Sequence, residues 1–328
     1  MAKRSFFQKP YRWASVYAAV LAAAFAYVLL DAFVIPRAQA PVVQQVSPVP
    51  EEEPAEASEP LPAEDIAVEA EPEVEPEVEV EPMPSEPVIT ANSYRDDNIS
   101  IEIETVRRDD TTLYVADIVL SDSTFLKTAL AQDTFGRNIK ETTSQIAEEH
   151  GAIFAVNGDY YGFRDSGYVV RNGVLYRDTG SGQALVIDAD GDFSVVQEGE
   201  MRAESLMESG AVQVLSFGPA LVLGGEITVD EDSEVGKAKE ENPRTAIGQV
   251  GELHYIVIVS DGRTEESSGL SLMELAEEFQ SRGCTIAYNL DGGGSSSMVF
   301  NGELVNNPTS GRSIKEREVS DIVYIGYE

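Results

Sequence analysis

The chain has 328 residues, a quarter of them charged, and a formal net charge of -35. That acidity excludes nucleic acid and an anionic membrane surface as main partners, since both repel a polyanion. One cysteine and two histidines exclude an intrachain disulfide and a cysteine-based zinc site, and offer no mechanism built on histidine.

Residues 1–13 carry Lys3, Arg4, Lys9 and Arg12, and an apolar run follows in which Ala14 to Leu30 holds no charge. At ~1.5 Å per helical residue, a span over 14–35 just crosses a ~30 Å hydrocarbon layer. The basic flank should remain cytoplasmic, which makes this a single-pass cell-membrane protein with everything downstream extracellular. The alternative is a secreted protein released by signal cleavage, because Ala38-Gln39-Ala40 has the small-x-small form. Pro41 after such a cut, and the length of the apolar run, favour the retained anchor.

Residues 36–87 read as a disordered linker. Between Pro41 and Pro87 there are many Pro and Glu residues and no Lys or Arg. Such a segment cannot bury enough apolar surface to offset its chain entropy, and it should act as a self-repelling spacer reaching up to roughly 150 Å. The membrane is then met through the N-terminal helix only.

The remainder, 88–328, is long enough for one domain with a substantial core. Turn signals at Asn172-Gly173, Asp190-Gly191, Gly224-Gly225 and Asn301-Gly302 predict antiparallel hairpins. Two helices are expected, one within Arg137 to His150 and one over Leu272 to Arg282 with Gly283 as its cap. Strand and helix do not alternate regularly, so the fold class is α+β: a mixed, largely antiparallel sheet with a few packing helices and active-site loops at strand ends. Cys284 reads as a core thiol, and His150 and His254 as structural.

The most informative string is Asn289-Leu290-Asp291-Gly292-Gly293-Gly294-Ser295-Ser296-Ser297. Glycine triplets cost backbone entropy and sit where the main chain needs positive φ or must be closely approached. A strand is predicted before the string and a strand and hairpin after it, whereas a phosphate-binding Rossmann or P-loop would open a helix. Four further segments set polar groups beside strands: Asn157-Gly158-Asp159-Tyr160-Tyr161, Arg244-Thr245, Ser260-Asp261-Gly262-Arg263, and Asn307-Pro308 with Arg317. Sites built at clustered strand ends have this pattern.

The set NGDYYG, SFGPALV, PRTAIGQ, SDGR and NLDGGGSSSMVFNGELVNNP, in this order between about Leu113 and Tyr327, resembles the phosphodiester glycosidase family. The resemblance implies hydrolysis of a sugar-1-phosphate diester at the anomeric C–O bond, leaving a phosphate monoester. Its implied partner is a sugar-phosphate small molecule or a cell-surface glycan such as an exopolysaccharide. Cleavage at an anomeric carbon passes through an oxocarbenium-like state that calls for a carboxylate. Asp291 is expected as the principal one, Asp159 as its partner and Asp261 as the third candidate. Arg244, Arg263 and Arg317 would clamp the phosphate, aided by an anion nest from the N–H groups of Gly292, Gly293, Gly294 and Ser295. Asn157, Thr245, Asn289 and Ser296 complete the substrate-binding set. No cofactor is required, although the aspartates could hold Ca²⁺ or Mg²⁺ through oxygen ligands. Two other classes fit the residues: a noncatalytic exopolysaccharide-binding or assembly module, and a metal-dependent phosphodiesterase that cuts P–O.

Overall fold

The structure is a computed structural model that describes residues 11–42, 86–230, 241–311 and 313–328. Of the cytoplasmic tail expected over 1–13 and the spacer expected over 36–87, residues 1–10 and 43–85 lie outside the described residues. Helix α1, Arg12–Phe33, has no buried residue and is long and apolar enough to cross a membrane. The chain does not run free after it. Arg37–Ala38 pairs antiparallel with Gly136–Arg137, and Gln39 donates to the Phe135 carbonyl at 2.8 Å. Residues 37–42, within the span expected as a linker, thus find backbone partners on the domain.

Three larger antiparallel sheets dominate the described part of that domain. The largest runs in the spatial order Glu226–Ile227, Ala220–Leu223, Ile286–Asn289, Thr245–Gly251, His254–Ser260, Thr111–Leu120, Ile99–Arg108, Ser93–Arg95, Val88–Ile89. A five-stranded sheet joins Phe154–Asn157 and Asp321–Ile325 at its centre, and another is centred on Ala211–Leu215. Every pairing within the three is antiparallel.

The period of two decides how the sheets pack. In Thr111–Leu120, Tyr114, Ala116 and Ile118 join one core cluster while Leu113 and Val115 join another on the opposite face. The first cluster also takes Phe154 and Val323 from one five-stranded sheet and Leu185 and Leu215 from the other, so the large sheet packs against both. Its far face is covered by helix α4, Leu272–Ser281, through Leu272, Leu275, Ala276 and Phe279, all buried. Cys284 lies in that layer, where burial pushes its thiol up to about 12.

Local chemistry sets the helix limits. Ser271 and Glu274 exchange side-chain to backbone bonds in a capping box at the start of α4. Gly283, with φ of 79°, ends it. Helix α2, Thr143–Glu149, opens with the equivalent box between Thr142 and Gln145. A short third helix, α3 over Ala203–Glu208, has too few residues to show a period and was not anticipated. At Asn172-Gly173 and Asn301-Gly302 both residues adopt positive φ, the requirement of a two-residue hairpin.

The register brings distant chain segments to one edge. Ala246 stands opposite Asn289, Leu290 donates to the Thr245 carbonyl, and Asp291 donates to the Gly158 carbonyl. The ends of Phe154–Asn157 and Ile286–Asn289 and the start of Thr245–Gly251 thus meet beneath the glycine string.

Candidate active site

Above that edge lies a cavity of about 540 Å³. Asn289, Asp291, Gly292, Gly293 and Gly294 form its floor, Arg244, Arg263 and Arg317 one part of its wall, and Arg164, Gln183, Phe217 and Pro219 another. Asp291 is half-buried there and accepts from its neighbour Gly292 N–H at 2.9 Å. Burial pushes its carboxyl up to about 6, against the opposing pull of the Ser295 hydroxyl and Arg317. The lining therefore holds four arginines and one carboxylate, a net +3 in a chain of net -35.

The glycines allow this concentration of charge. A β-carbon on Gly293, whose φ is +62°, would stand 2.9 Å from Arg263 Nη2. One on Gly294 would stand 2.7 Å from Arg317 Cζ and 2.8 Å from its Nε. Real β-carbons do not approach heavy atoms so closely, so the two guanidinium groups lie where side chains would otherwise be. Arg263 is further held by Asn242 Oδ1, which accepts from Nε at 3.1 Å and from Nη2 at 2.9 Å. Arg244 donates from Nε to the Leu270 carbonyl at 2.8 Å.

The expected backbone nest does not form over most of the string. Gly292 N–H is used by Asp291, Gly293 N–H by the Pro243 carbonyl at 2.7 Å, and Ser295 N–H by the Gly292 carbonyl in the 3-10 turn Gly293–Ser295. With those donors committed, an anion in the cavity must be met chiefly by guanidinium groups.

The structure does not bring Asp159 and Asp261 into the cavity. Asp159 is buried beneath it, with Oδ1 accepting from Tyr161 N–H at 2.9 Å and Oδ2 from Arg171 Nη2 at 2.8 Å and Ser216 N–H at 2.9 Å. Arg171 also binds Asp321 Oδ2 through Nε and Nη2 at 2.9 and 2.7 Å. This places one guanidinium between two carboxylates with almost no solvent access. Burial pushes Asp321 upward despite Arg171, and the Asp159 charge adds to the rise. Asp261 holds the Asn306-Asn307 turn instead, accepting from Asn307 N–H at 2.8 Å and from the Tyr114 hydroxyl at 3.1 Å. A lone carboxylate in a sequence cannot reveal such commitments, since Arg171 lies 12 residues after Asp159 and Asp321 a further 150 residues after Arg171.

Asn157, Thr245 and Ser296 are buried under the floor and do not line the cavity. Asn157 Nδ2 donates to the Asp291 carbonyl at 2.6 Å, while its Oδ1 accepts from Thr245 Oγ1 at 2.8 Å and Ser297 N–H at 3.2 Å. It ties three segments and fixes the backbone that carries Asp291. Asn289 does reach the cavity: its Nδ2 donates to the Gly218 carbonyl at 2.8 Å and its buried Oδ1 has no hydrogen-bond partner. Among the described residues, no three His, Cys, Asp or Glu side chains gather into a metal-holding cluster.

Sequence reasoning missed Arg164, Gln183, Phe217 and Asn242. Phe217 lies within the quoted SFGPALV motif, and Arg164 follows NGDYYG by two residues, so proximity to the motifs was the available signal. Arg164 stands over the Phe217 ring, 4.6 Å from its centroid.

A family model for phosphodiester glycosidases matches residues 150–326. The SPbeta prophage-derived uncharacterized protein YomE of Bacillus subtilis is 33% identical over 203 residues, covering 59% of this chain and 31% of that protein. The mouse N-acetylglucosamine-1-phosphodiester alpha-N-acetylglucosaminidase is 30% identical over 187 residues, 52% of this chain and 36% of the mouse protein. The chain thus spans about a third of the length of these relatives. The zebrafish N-acetylglucosamine-1-phosphodiester alpha-N-acetylglucosaminidase catalytic domain, auto-inhibited by its pro-peptide, shares the fold with a TM-score of 0.57 at 22% identity. That likeness covers 70% of this chain and 83% of the zebrafish one.

The buried ion triad makes a direct prediction. Arg171→Met should leave Asp159 and Asp321 unpaired and lower stability by roughly 3–5 kcal/mol, read as the shift in urea unfolding near neutral pH. Part of that loss should return in acid, where the carboxylates are protonated.

Proposed function

The chain belongs to the phosphodiester glycosidase family, and from that premise we propose that it hydrolyses the glycosidic C–O bond of a sugar-1-phosphodiester. Free sugar and a phosphate monoester are the products. The observation that carries this reading is the presence of Asp291 and the guanidinium groups of Arg244, Arg263 and Arg317 in one cavity.

The chemistry follows from where charge moves. Water adds to the anomeric carbon, the C1–O bond breaks, and its electron pair passes to the phosphate oxygen, which leaves as part of a monoester. That oxygen is a weak base compared with a sugar alkoxide. It needs charge stabilisation more than protonation, and arginines supply it through bidentate contacts. A second carboxylate acting as acid is correspondingly dispensable, which agrees with one aspartate in the lining. Asp291 serves the oxocarbenium-like centre as nucleophile, or as the base that takes the proton of the attacking water. Both roles require the ionised form. The reaction is proposed to run without a resident ion.

Location follows from the same reading. With α1 retained in the cell membrane, the domain lies outside the cytoplasm and meets extracellular glycans or glycoconjugates.

Two predictions test the reading. In ¹⁸O-labelled water the label should appear at the anomeric hydroxyl of the released sugar, and Asp291→Asn should lower turnover by about 10³-fold or more while substrate binding persists. Label in the phosphate would instead indicate P–O cleavage, and binding without turnover by the unaltered chain would indicate a glycan-binding module.

The second prediction concerns pH. The value of about 6 for Asp291 exceeds that of an unfolded aspartate, about 4, so the protonated form is favoured in the fold. The stability this confers is complete below about pH 4 and is lost as pH rises through about 6. Asp291→Asn, which cannot ionise, should be more stable than the parent by on the order of 2–3 kcal/mol near pH 7 and equal to it near pH 3.5. The kcat/KM of the parent should follow the ionised fraction, falling about tenfold per pH unit below about 6.

A further inference from the structure

The segment that leaves α1 is bound to the domain at several points. Asn138, buried and at φ of 58°, donates from Nδ2 to the Ile35 carbonyl at 3.1 Å and to that of Ala32 at 3.4 Å, so it closes the C-terminal end of the helix. Arg37 forms an ion pair with Asp31 of the last helical turn. Arg37 and Ala38 stand opposite Arg137 and Gly136, Gln39 donates to Phe135, and Val42 donates to the Leu175 carbonyl at 2.8 Å. Gly136 has no room for a side chain: a β-carbon there would stand 2.8 Å from the Arg37 carbonyl carbon and 2.9 Å from Ala38 Cα. Docking of this segment thus depends on a glycine on the domain side.

Length turns this contact into a statement about position. From Phe33, the last helical residue, to Arg37 is four residues, which extend at most ~14 Å. If α1 crosses the membrane, the 136–138 edge lies at its surface, and the domain cannot stand off on a spacer. Residues 43–85 then join two points that both belong to the domain, Val42 at one end and the strand beginning at Val88 at the other. The docked segment also adjoins the active site. Gln39 helps to line a recess of about 110 Å³ with Arg137, Arg164 and Arg177, and Arg164 lines the catalytic cavity as well.

We infer that residues 37–42 are a latch that holds the catalytic domain against the membrane from which the chain emerges. The substrates that reach the cavity are accordingly sugar 1-phosphodiesters whose aglycone is embedded in that membrane. The substrate half of this inference rests on the hydrolase reading above, and the latch half does not.

The test uses the full chain in phosphatidylcholine vesicles. Arg37→Cys combined with Arg137→Cys should form an intrachain disulfide on mild oxidation, since directly opposed Cα atoms in a strand pair are about 5 Å apart. Arg37→Cys combined with Arg95→Cys should not. Gln39→Pro, which removes the N–H that reaches Phe135 without touching the domain, should lower the cross-linked fraction severalfold. The same single change should reduce kcat/KM severalfold on a vesicle-borne long-chain-alkyl phosphodiester of N-acetylglucosamine and leave the soluble methyl phosphodiester unaffected. Absence of the cross-link, or membrane-isolated protein that begins after Ala40, overturns the latch. Equal effects of Gln39→Pro on the two diesters overturn the substrate assignment, as does a cross-linked protein that turns over neither.

Discussion

Two guanidinium groups occupy the space in which the β-carbons of Gly293 and Gly294 would stand, and the character of the cavity follows from that exclusion. Arg263 and Arg317 can lie against the main chain of the turn only because it has no side chains there. A β-carbon at either position would require the guanidinium group beside it to shift. The glycine string is therefore a device for bringing cations together, and its donors are largely spent on holding its own shape.

Holding like charges close to a carboxylate in one cavity requires a rigid base. The base is made of buried polar groups with committed partners. Asn157 ties the Asp291 backbone to Thr245 and Ser297, and Asp159 and Asp321 share Arg171 below. Breaking such a group is costly because its remaining members stay desolvated, which favours one geometry over its neighbours. Asp291 differs from these groups in lining the cavity. Its raised pKa records a carboxyl that the fold stabilises less well than water would, the usual condition of a group kept available for chemistry.

Local features were readable in advance because their causes are local. The hairpins at Asn172-Gly173 and Asn301-Gly302, the limits of α4 and the absence of a helix after the glycine string each depend on residues within a few positions. The prominence of Asp291 and of the three arginines was readable for the same reason, as they flank strands in unusual strings. What the sequence withheld is long-range: which carboxylates are already paired, which N–H groups are spent, and which side chain arrives from another loop. Asp159 and Asp261 look as available as Asp291 until Arg171, Asn307 and Tyr114 are placed beside them. Arg164 and Phe217 come from segments more than 70 residues before the glycine string, and no spacing announces their meeting. The attachment of residues 37–42 was hidden by composition, since the neighbouring Pro/Glu-rich stretch made the whole of 36–87 look like a spacer.

In the proposed reaction the arginines around the glycine turn hold the diester phosphate while Asp291 faces the anomeric carbon. A crystal structure of the Asp291→Asn protein with an intact sugar-1-phosphodiester measures this most directly. Phosphate oxygens within hydrogen-bond distance of Arg244, Arg263 or Arg317, with the anomeric carbon turned towards the position 291 side chain, are expected. A phosphate seated away from those guanidinium groups, or a sugar bound with its anomeric carbon turned from position 291, contradicts it.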